Sequence, residues 1–180
     1  KPGTNEPYGL IMETAFLPIF AQLPKPSSDQ LKAQVKSGQM IYASVGITTA
    51  QEGATHLHDL IILQNAADAG DLFIDVVSYP FITEIDSVMS RYTTSDFGQY
   101  KNRLKLGGIK ITIDGSPQGR TAFFTSPYLT GGPEGQKNWT GEPTFSQATA
   151  NDMLKKVYDL GLQCTFHANG DAAIDMCIKA

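Results

Sequence analysis

Segments with the composition of β-strands alternate along this chain with segments of helical periodicity. Short runs rich in β-branched residues are bounded by glycine or proline, and longer runs place apolar residues three or four positions apart. The predicted strands are residues 47–52, 72–79, 109–113 and 162–167. The predicted helices are residues 11–21, 28–44, 55–69, 82–91, 147–160 and 170–180. Such alternation favours right-handed βα units, so we predict an α/β fold with a parallel sheet.

Between the third strand and the next helix lies a long segment, residues 116–145, that is dense in glycine, proline and threonine. Loops of this length are uncommon in compact domains unless they have a function. Serine residues are placed to cap the helices on either side of the strands, and we predict Ser28 and Ser146 as N-caps.

Composition excludes several classes of protein. Hydrophobic residues make up 41% of the chain and charged residues 18%, which is typical of a globular domain. A net charge of −4 without a basic patch argues against a nucleic-acid partner. No apolar stretch approaches the roughly 20 residues that span a membrane. The chain opens on Lys1 without a recognisable signal, so a cytoplasmic and an exported location both remain open.

Polar residues stand at the predicted carboxyl ends of the strands, where parallel α/β proteins collect their reactive groups. They include Glu52, Asp114 and His167, and Lys110 lies inside the third strand between two isoleucines. A buried ammonium is costly unless it is paired. Lys110 is therefore paired with Asp114 or Glu52, extended towards the strand end, or altered in charge by a depressed pKa or a covalent modification.

The remaining candidates each have a structural and a functional interpretation. His167 is either a hydrogen-bonded residue at a strand end or a metal ligand. Asp114 either caps a turn or orients a ligand. His56 and His58 lie early in a predicted helix, and side chains two positions apart on a helix do not converge on one ion. No phosphate-binding loop and no Gly-x-Ser-x-Gly motif is present.

Four blocks of the sequence together resemble one family. They are residues 7–13, residues 46–53, residues 108–116 followed by Gly119-Arg120-Thr121-Ala122, and residues 167–174. These blocks are similar to the metal-dependent amidohydrolase superfamily, in the branch that resembles N-substituted formamide deformylase. The resemblance covers nearly the whole chain, and the lysine and histidine blocks are fairly specific when they occur together.

The resemblance implies a (β/α)₈ TIM barrel, of which residues 1–180 would be a single incomplete domain covering about strands two to five. Lys110 would match the carbamylated lysine of the fourth strand and His167 the histidine of the fifth, and both would bind a divalent metal, expected to be zinc, in the whole protein. Glu52, Asp114 and Asp171 would be hydrogen-bonding partners of the ligands or contacts to substrate. Residues 116–145 would lie over the barrel mouth, where Arg120 either meets an anionic group of the substrate or is an ordinary exposed loop arginine.

The implied activity is hydrolysis of non-peptide C–N bonds, in amides or formamides, by metal-activated water. No His-x-His lies on a predicted strand, and the expected general-base aspartate lies outside the chain, so we expect the fragment alone to be inactive and to bind no metal tightly. Its open sheet edges suggest a possible homodimer. The alternatives are a non-catalytic regulatory or binding protein on the same barrel, and a different parallel α/β protein with a structural Lys110.

Overall fold

The computed structural model describes residues 4, 6, 19, 22–24 and 26–180. Nearly all of the predicted helix 11–21 lies outside the described residues, as does the block 7–13. Within residues 26–180, five α-helices follow in chain order: α1 Ser28–Ser44, α2 Leu57–Asp68, α3 Ile85–Met89, α4 Gln147–Asp159 and α5 Asp171–Lys179. The strands are β1 Thr49–Thr55, β2 Asp75–Pro80, β3 Tyr100–Lys101, β4 Leu104–Leu106, β5 Ile109–Thr112 and β6 Cys164–His167. Within the described part of the chain, no helix is long and apolar enough to cross a membrane.

The predicted α/β alternation is confirmed, with two additions and one correction. A short hairpin of β3 and β4 precedes β5, and the predicted helix 82–91 is a 3₁₀ turn, Ile82–Glu84, followed by α3. The N-cap of α1 is Ser27 and not Ser28. Ser27 forms a reciprocal capping box with Gln30, because each side chain accepts the backbone N–H of the other residue. Ser146 caps α4 as predicted, accepting the Thr149 backbone N–H at 3.1 Å.

Apart from β3, the described strands are parallel and follow one another in space in the order of the sequence. β1 pairs with β2, β2 pairs with β4, and β5 pairs with β6. Ser78 of β2 pairs with Leu106 of β4, and a further parallel bridge joins Phe81 to Lys110. The path from Leu106 to Lys110 is one residue longer than that from Ser78 to Phe81. β4 and β5 are therefore two halves of one strand with a bulge at residues 107–108.

The bulge requires glycine because neighbouring atoms occupy the space of a side chain. A β-carbon at Gly108 would overlap the backbone carbonyl of Gln163, and one at Gly107 would overlap the side chains of Tyr79 and Val77. The bulge reverses which face of the sheet the following residues occupy. This reversal decides where Lys110 points.

The helices cover one face of the strands. Ile109, Ile111 and Ile113 are fully buried, and they pack in one cluster with α4 and α5 residues such as Val157 and Met176. A second cluster joins α2 to β2 and β4, and includes Leu60, Ala67, Val76 and Leu104. Because side chains alternate along a strand, Lys110 and Thr112 point to the opposite face.

Candidate active site

Lys110 and His167 lie on adjacent parallel strands and on the same face of the sheet. In the register of β5 and β6, Lys110 pairs with Thr165, and Thr112 pairs with His167. Phe166 packs against the helix-side core, so its neighbours Thr165 and His167 point to the other face, as Lys110 does. Strand geometry puts the Cα atoms of Lys110 and His167 about 8 Å apart. Their side chains are long enough to converge.

The Lys110 side chain is half-buried and has no carboxylate partner among the described residues. Burial lowers the pKa of its ammonium group, and the electrostatic effect of the neighbouring Cys164 opposes that shift. The expected ion pair with Asp114 or Glu52 is absent from the described part of the structure, because both carboxylates accept backbone N–H groups instead. Lys110 is therefore a partly desolvated ammonium group without a carboxylate partner among the described residues.

His167 is half-buried and bonds to a residue that sequence reasoning missed. The Asn169 side-chain nitrogen, Nδ2, lies 2.9 Å from Nε2 of His167 and 2.9 Å from the carbonyl oxygen of Gly115. Asn169 stands two positions after the strand-end histidine, and that spacing was the one signal that could have drawn attention to it. It links the end of β6 to the residue that follows Asp114.

Asp114 is buried, with 1% of its surface exposed, and it joins three segments of the chain. Its carboxylate accepts the backbone N–H groups of Phe123, Asn169 and Gly170, each at 2.8 Å. Among these bonds none reaches His167 directly. The carboxylate acts on the histidine only by holding the backbone of Asn169, and it also fixes the start of the long loop.

The long loop packs closely on the turn between β6 and α5. A β-carbon at Gly170 would overlap the carbonyl group of Phe123, and one at Gly141 would overlap that of Ala122. The Ala173 backbone N–H donates to the Phe123 carbonyl at 3.2 Å. The predicted loop 116–145 is therefore folded against the turn that follows β6, where Asp114 and a glycine that allows close approach hold it.

Asp171 and Arg120 are both engaged in holding this loop. Asp171 begins α5 and accepts the hydroxyl and the backbone N–H of Thr125, the latter at 2.8 Å, and these bonds hold the pKa of its carboxyl below its usual value. The Arg120 guanidinium donates to the carbonyls of Gly132 at 2.9 Å and Gly131 at 3.4 Å. Arg120 is partly buried, and these two bonds join it to carbonyls of its own loop.

The structure does not bring Glu52 to Lys110 and His167. Glu52 pairs in register with Ser78 on β2, and it lines a cavity together with residues of α1 and α2 such as Val35 and Leu63. One of its carboxylate oxygens accepts the backbone N–H of Ala54 at 3.3 Å. A direct role beside the two candidate ligands therefore has no geometric support.

The His56-x-His58 pair does not form a chelating motif, as its spacing predicted. His56 is the N-cap residue of α2, and its Nδ1 lies 2.7 Å from a carboxylate oxygen of Glu84. Although burial acts to raise it, the pKa of Glu84 is held below its usual value by the hydrogen bonds from His56 and from the Leu57 backbone N–H. His58 is exposed on the helix.

Within the described residues the donor set for a metal ion is incomplete. No group of three or more His, Cys, Asp and Glu side chains in that part of the chain is placed to hold an ion. Protein sites for zinc use three or four side-chain ligands. Lys110, if it carries an anionic group, and His167 together supply two donors.

Comparison with known structures supports the fold. Two crystal structures share the fold, each of an uncharacterized metal-dependent hydrolase. The one from Pyrococcus horikoshii OT3 is 24% identical, with a TM-score of 0.72, and the match covers 86% of this chain and 30% of that one. The one from Pyrococcus furiosus is also 24% identical, with a TM-score of 0.74, and the match covers 91% of this chain and 33% of that one. The chain thus spans about a third of the length of these neighbours.

No curated protein sequence matches the chain. The amidohydrolase family, however, matches over residues 1–180, which is its whole length. A match of that extent, on a chain whose strands run parallel beneath a polar rim, shows that the chain belongs to the amidohydrolase family.

Proposed function

We propose that this chain is part of a metal-dependent hydrolase that cleaves non-peptide C–N bonds in small amides or formamides, and that Lys110 and His167 bind its metal. The observation that carries the proposal is their placement side by side on β5 and β6, on the face that the described helices leave uncovered. Family membership supports the hydrolase class. The resemblance to N-substituted formamide deformylase supports the choice of bond.

The proposed architecture is a segment of a (β/α)₈ barrel that contributes about four of its eight strands. Its support is the sequential parallel order of β1, β2, the bulged β4–β5 strand and β6, with the described helices on one side. A doubly wound sheet would instead reverse its strand order and carry helices on both faces. The remaining metal donors and a general base would lie outside these residues.

The state of Lys110 fits modification by carbon dioxide. Burial lowers the pKa of Lys110, which increases the fraction of neutral amine at a given pH, and the neutral amine is the form whose nitrogen lone pair attacks CO₂. The N–C bond forms, one proton leaves to solvent, and the resulting carbamate carries a single negative charge on two oxygens. The lysine side chain thereby becomes an anionic ligand beside the imidazole of His167.

When bound, a divalent metal such as zinc supplies an activated water and polarises the carbonyl under attack. The residues of this chain would then hold and orient the site. Asp114 fixes the backbone at Asn169 and Phe123, and the loop that it anchors would exclude water from one side of the pocket.

A substrate screen on the whole protein tests the function. Purified enzyme is assayed with N-substituted formamides, other small amides and a carboxylic ester, before and after removal of metal by a chelator. We expect metal-dependent hydrolysis of at least one amide class, lost in Lys110→Ala and retained in Lys137→Ala, an exposed loop lysine that serves as the matched control. Hydrolysis that survives chelation or Lys110→Ala would contradict the proposal, and a metal-free folded protein without activity would favour a regulatory role.

A further inference from the structure

We propose that Asn169 is a positioning residue that sets the tautomer of His167, with the ring proton on Nδ1 and the lone pair on Nε2. The inference deepens the proposed function, on which the role of His167 as a ligand rests. It concerns the histidine of the metal-free chain, so it can be tested without any activity. Three hydrogen bonds carry it.

The first step is the orientation of the Asn169 amide. Its Nδ2 lies 2.9 Å from the Gly115 carbonyl oxygen, which can only accept a hydrogen bond. If the amide were turned over, its oxygen would face that carbonyl, and two acceptors would oppose each other. The Gly115 carbonyl therefore fixes the nitrogen of the amide on this side.

The second step transfers that orientation to the ring. The same Nδ2 lies 2.9 Å from Nε2 of His167, and an amide nitrogen can only donate. Its two hydrogens then serve two acceptors, the Gly115 carbonyl and the ring nitrogen. In the neutral ring Nε2 must hold the lone pair, so Nδ1 carries the proton.

The third step explains why Asn169 keeps its place. Its backbone N–H donates to the buried carboxylate of Asp114 at 2.8 Å, and the next backbone N–H, of Gly170, donates to the same carboxylate. The Asp114 carboxylate thus fixes the backbone of the turn after β6, and the Gly115 carbonyl fixes the side chain of Asn169. This two-point attachment gives the amide a fixed direction towards the ring.

In the proposed site, a metal cation and the Asn169 amide would compete for a nitrogen lone pair of His167. A cation needs the nitrogen lone pair that the Asn169 amide occupies in the metal-free chain. Binding through Nε2 requires the amide to release the ring, and binding through Nδ1 requires the ring proton to move. Asn169 thereby affects the free energy of binding a cation through His167.

The test is long-range ¹H–¹⁵N NMR of the histidine rings in the metal-free 180-residue chain, at a pH where the rings are neutral. His167 is expected to have an unprotonated Nε2 and a protonated Nδ1. Asn169→Asp keeps the shape but replaces the donor with an acceptor, and it should move the proton to Nε2. Asn169→Ala should shift the tautomer ratio towards Nε2–H by about fivefold, the equivalent of one ordinary net hydrogen bond.

The control is Asn138→Ala, at an exposed loop position, which should leave the His167 signals unchanged, and the exposed His58 serves as an internal reference. Backbone amide spectra verify that each variant is folded. A wild-type His167 with its proton on Nε2, or one whose tautomer is the same in Asn169→Asp, would overturn the inference. Success here together with a whole protein that binds no metal would refute the proposed function alone.

Discussion

Replacing Asp114 with asparagine should destabilise the chain because the carboxylate is buried and accepts three backbone N–H groups at 2.8 Å. One oxygen accepts two of these groups and the other oxygen accepts the third. Asparagine keeps an oxygen for the pair, but its NH₂ group then faces the remaining N–H, which is left without an acceptor. Hydrogen bonds to a charged acceptor contribute about 1.5–3 kcal/mol each and neutral ones about 0.5–1.5 kcal/mol.

The loss of one bond, together with the weakening of two others, predicts that Asp114→Asn lowers the free energy of unfolding by about 2–4 kcal/mol. Urea unfolding measures the change, and hydrogen exchange locates it. The backbone amides of Phe123, Asn169 and Gly170 should lose protection first. Asp59→Asn, at an exposed position on α2, is the matched control and should change stability by no more than about 0.5 kcal/mol. An Asp114→Asn protein with wild-type stability and unchanged exchange at the three amides would refute the reasoning.

Three further predictions concern the bulge, the loop and the lysine. Gly108→Ala should lower the free energy of unfolding, measured in urea, by about 1–3 kcal/mol, because its β-carbon would overlap a backbone carbonyl of the neighbouring chain segment. The control Gly38→Ala lies in open space within α1 and should raise the free energy of unfolding by about 0.5–1 kcal/mol. Equal effects of the two substitutions would contradict the assignment of a bulge at Gly108. The hydrogen bonds from Thr125 hold the pKa of Asp171 below 3.8, the usual pKa of an aspartate. The stabilisation from these bonds should therefore be present above pH 3.8 and be lost as the pH falls below that value. The difference in the free energy of unfolding between wild type and Asp171→Asn should therefore become smaller at acid pH. A difference that stays constant with pH would contradict the role of these hydrogen bonds. Because burial lowers the pKa of Lys110, Lys110→Met should stabilise the unmodified, metal-free chain at pH 7. This gain in the free energy of unfolding should decrease as the pH approaches 10.5, the usual pKa of lysine. A variant less stable than the wild type would show that the ammonium group has a partner.

The sequence predicted the alternation of elements, because apolar periodicity and glycine punctuation are local signals. It did not predict the β3–β4 hairpin, since a three-residue strand carries too little pattern to be distinguished from a loop. The Gly107–Gly108 pair was visible, but its role depends on carbonyl and side-chain positions brought in from other strands. A bulge of this kind emerges only from tertiary packing.

The candidate site was predicted unevenly for the same reason. Lys110 stood out because a cation inside an apolar strand violates a local rule, and His167 because it ends a strand. Asn169 was missed because its importance comes from Gly115 and from the Asp114 carboxylate, which lies far away in sequence. Glu52 was chosen because the strand was predicted to end there, but β1 continues to Thr55, and Glu52 lies within the strand in regular register with Ser78.

The most direct test of the central claim is intact mass together with metal analysis of the whole protein, produced with added zinc and bicarbonate. The account predicts near-stoichiometric metal and a carbamate on Lys110, detected by crystallography or ¹³C NMR where mass analysis releases it. Both should be lost together in Lys110→Ala, and His167→Ala should lose metal. A wild-type protein that folds but binds no metal, or a Lys110→Ala variant that keeps its full metal content, would contradict the account.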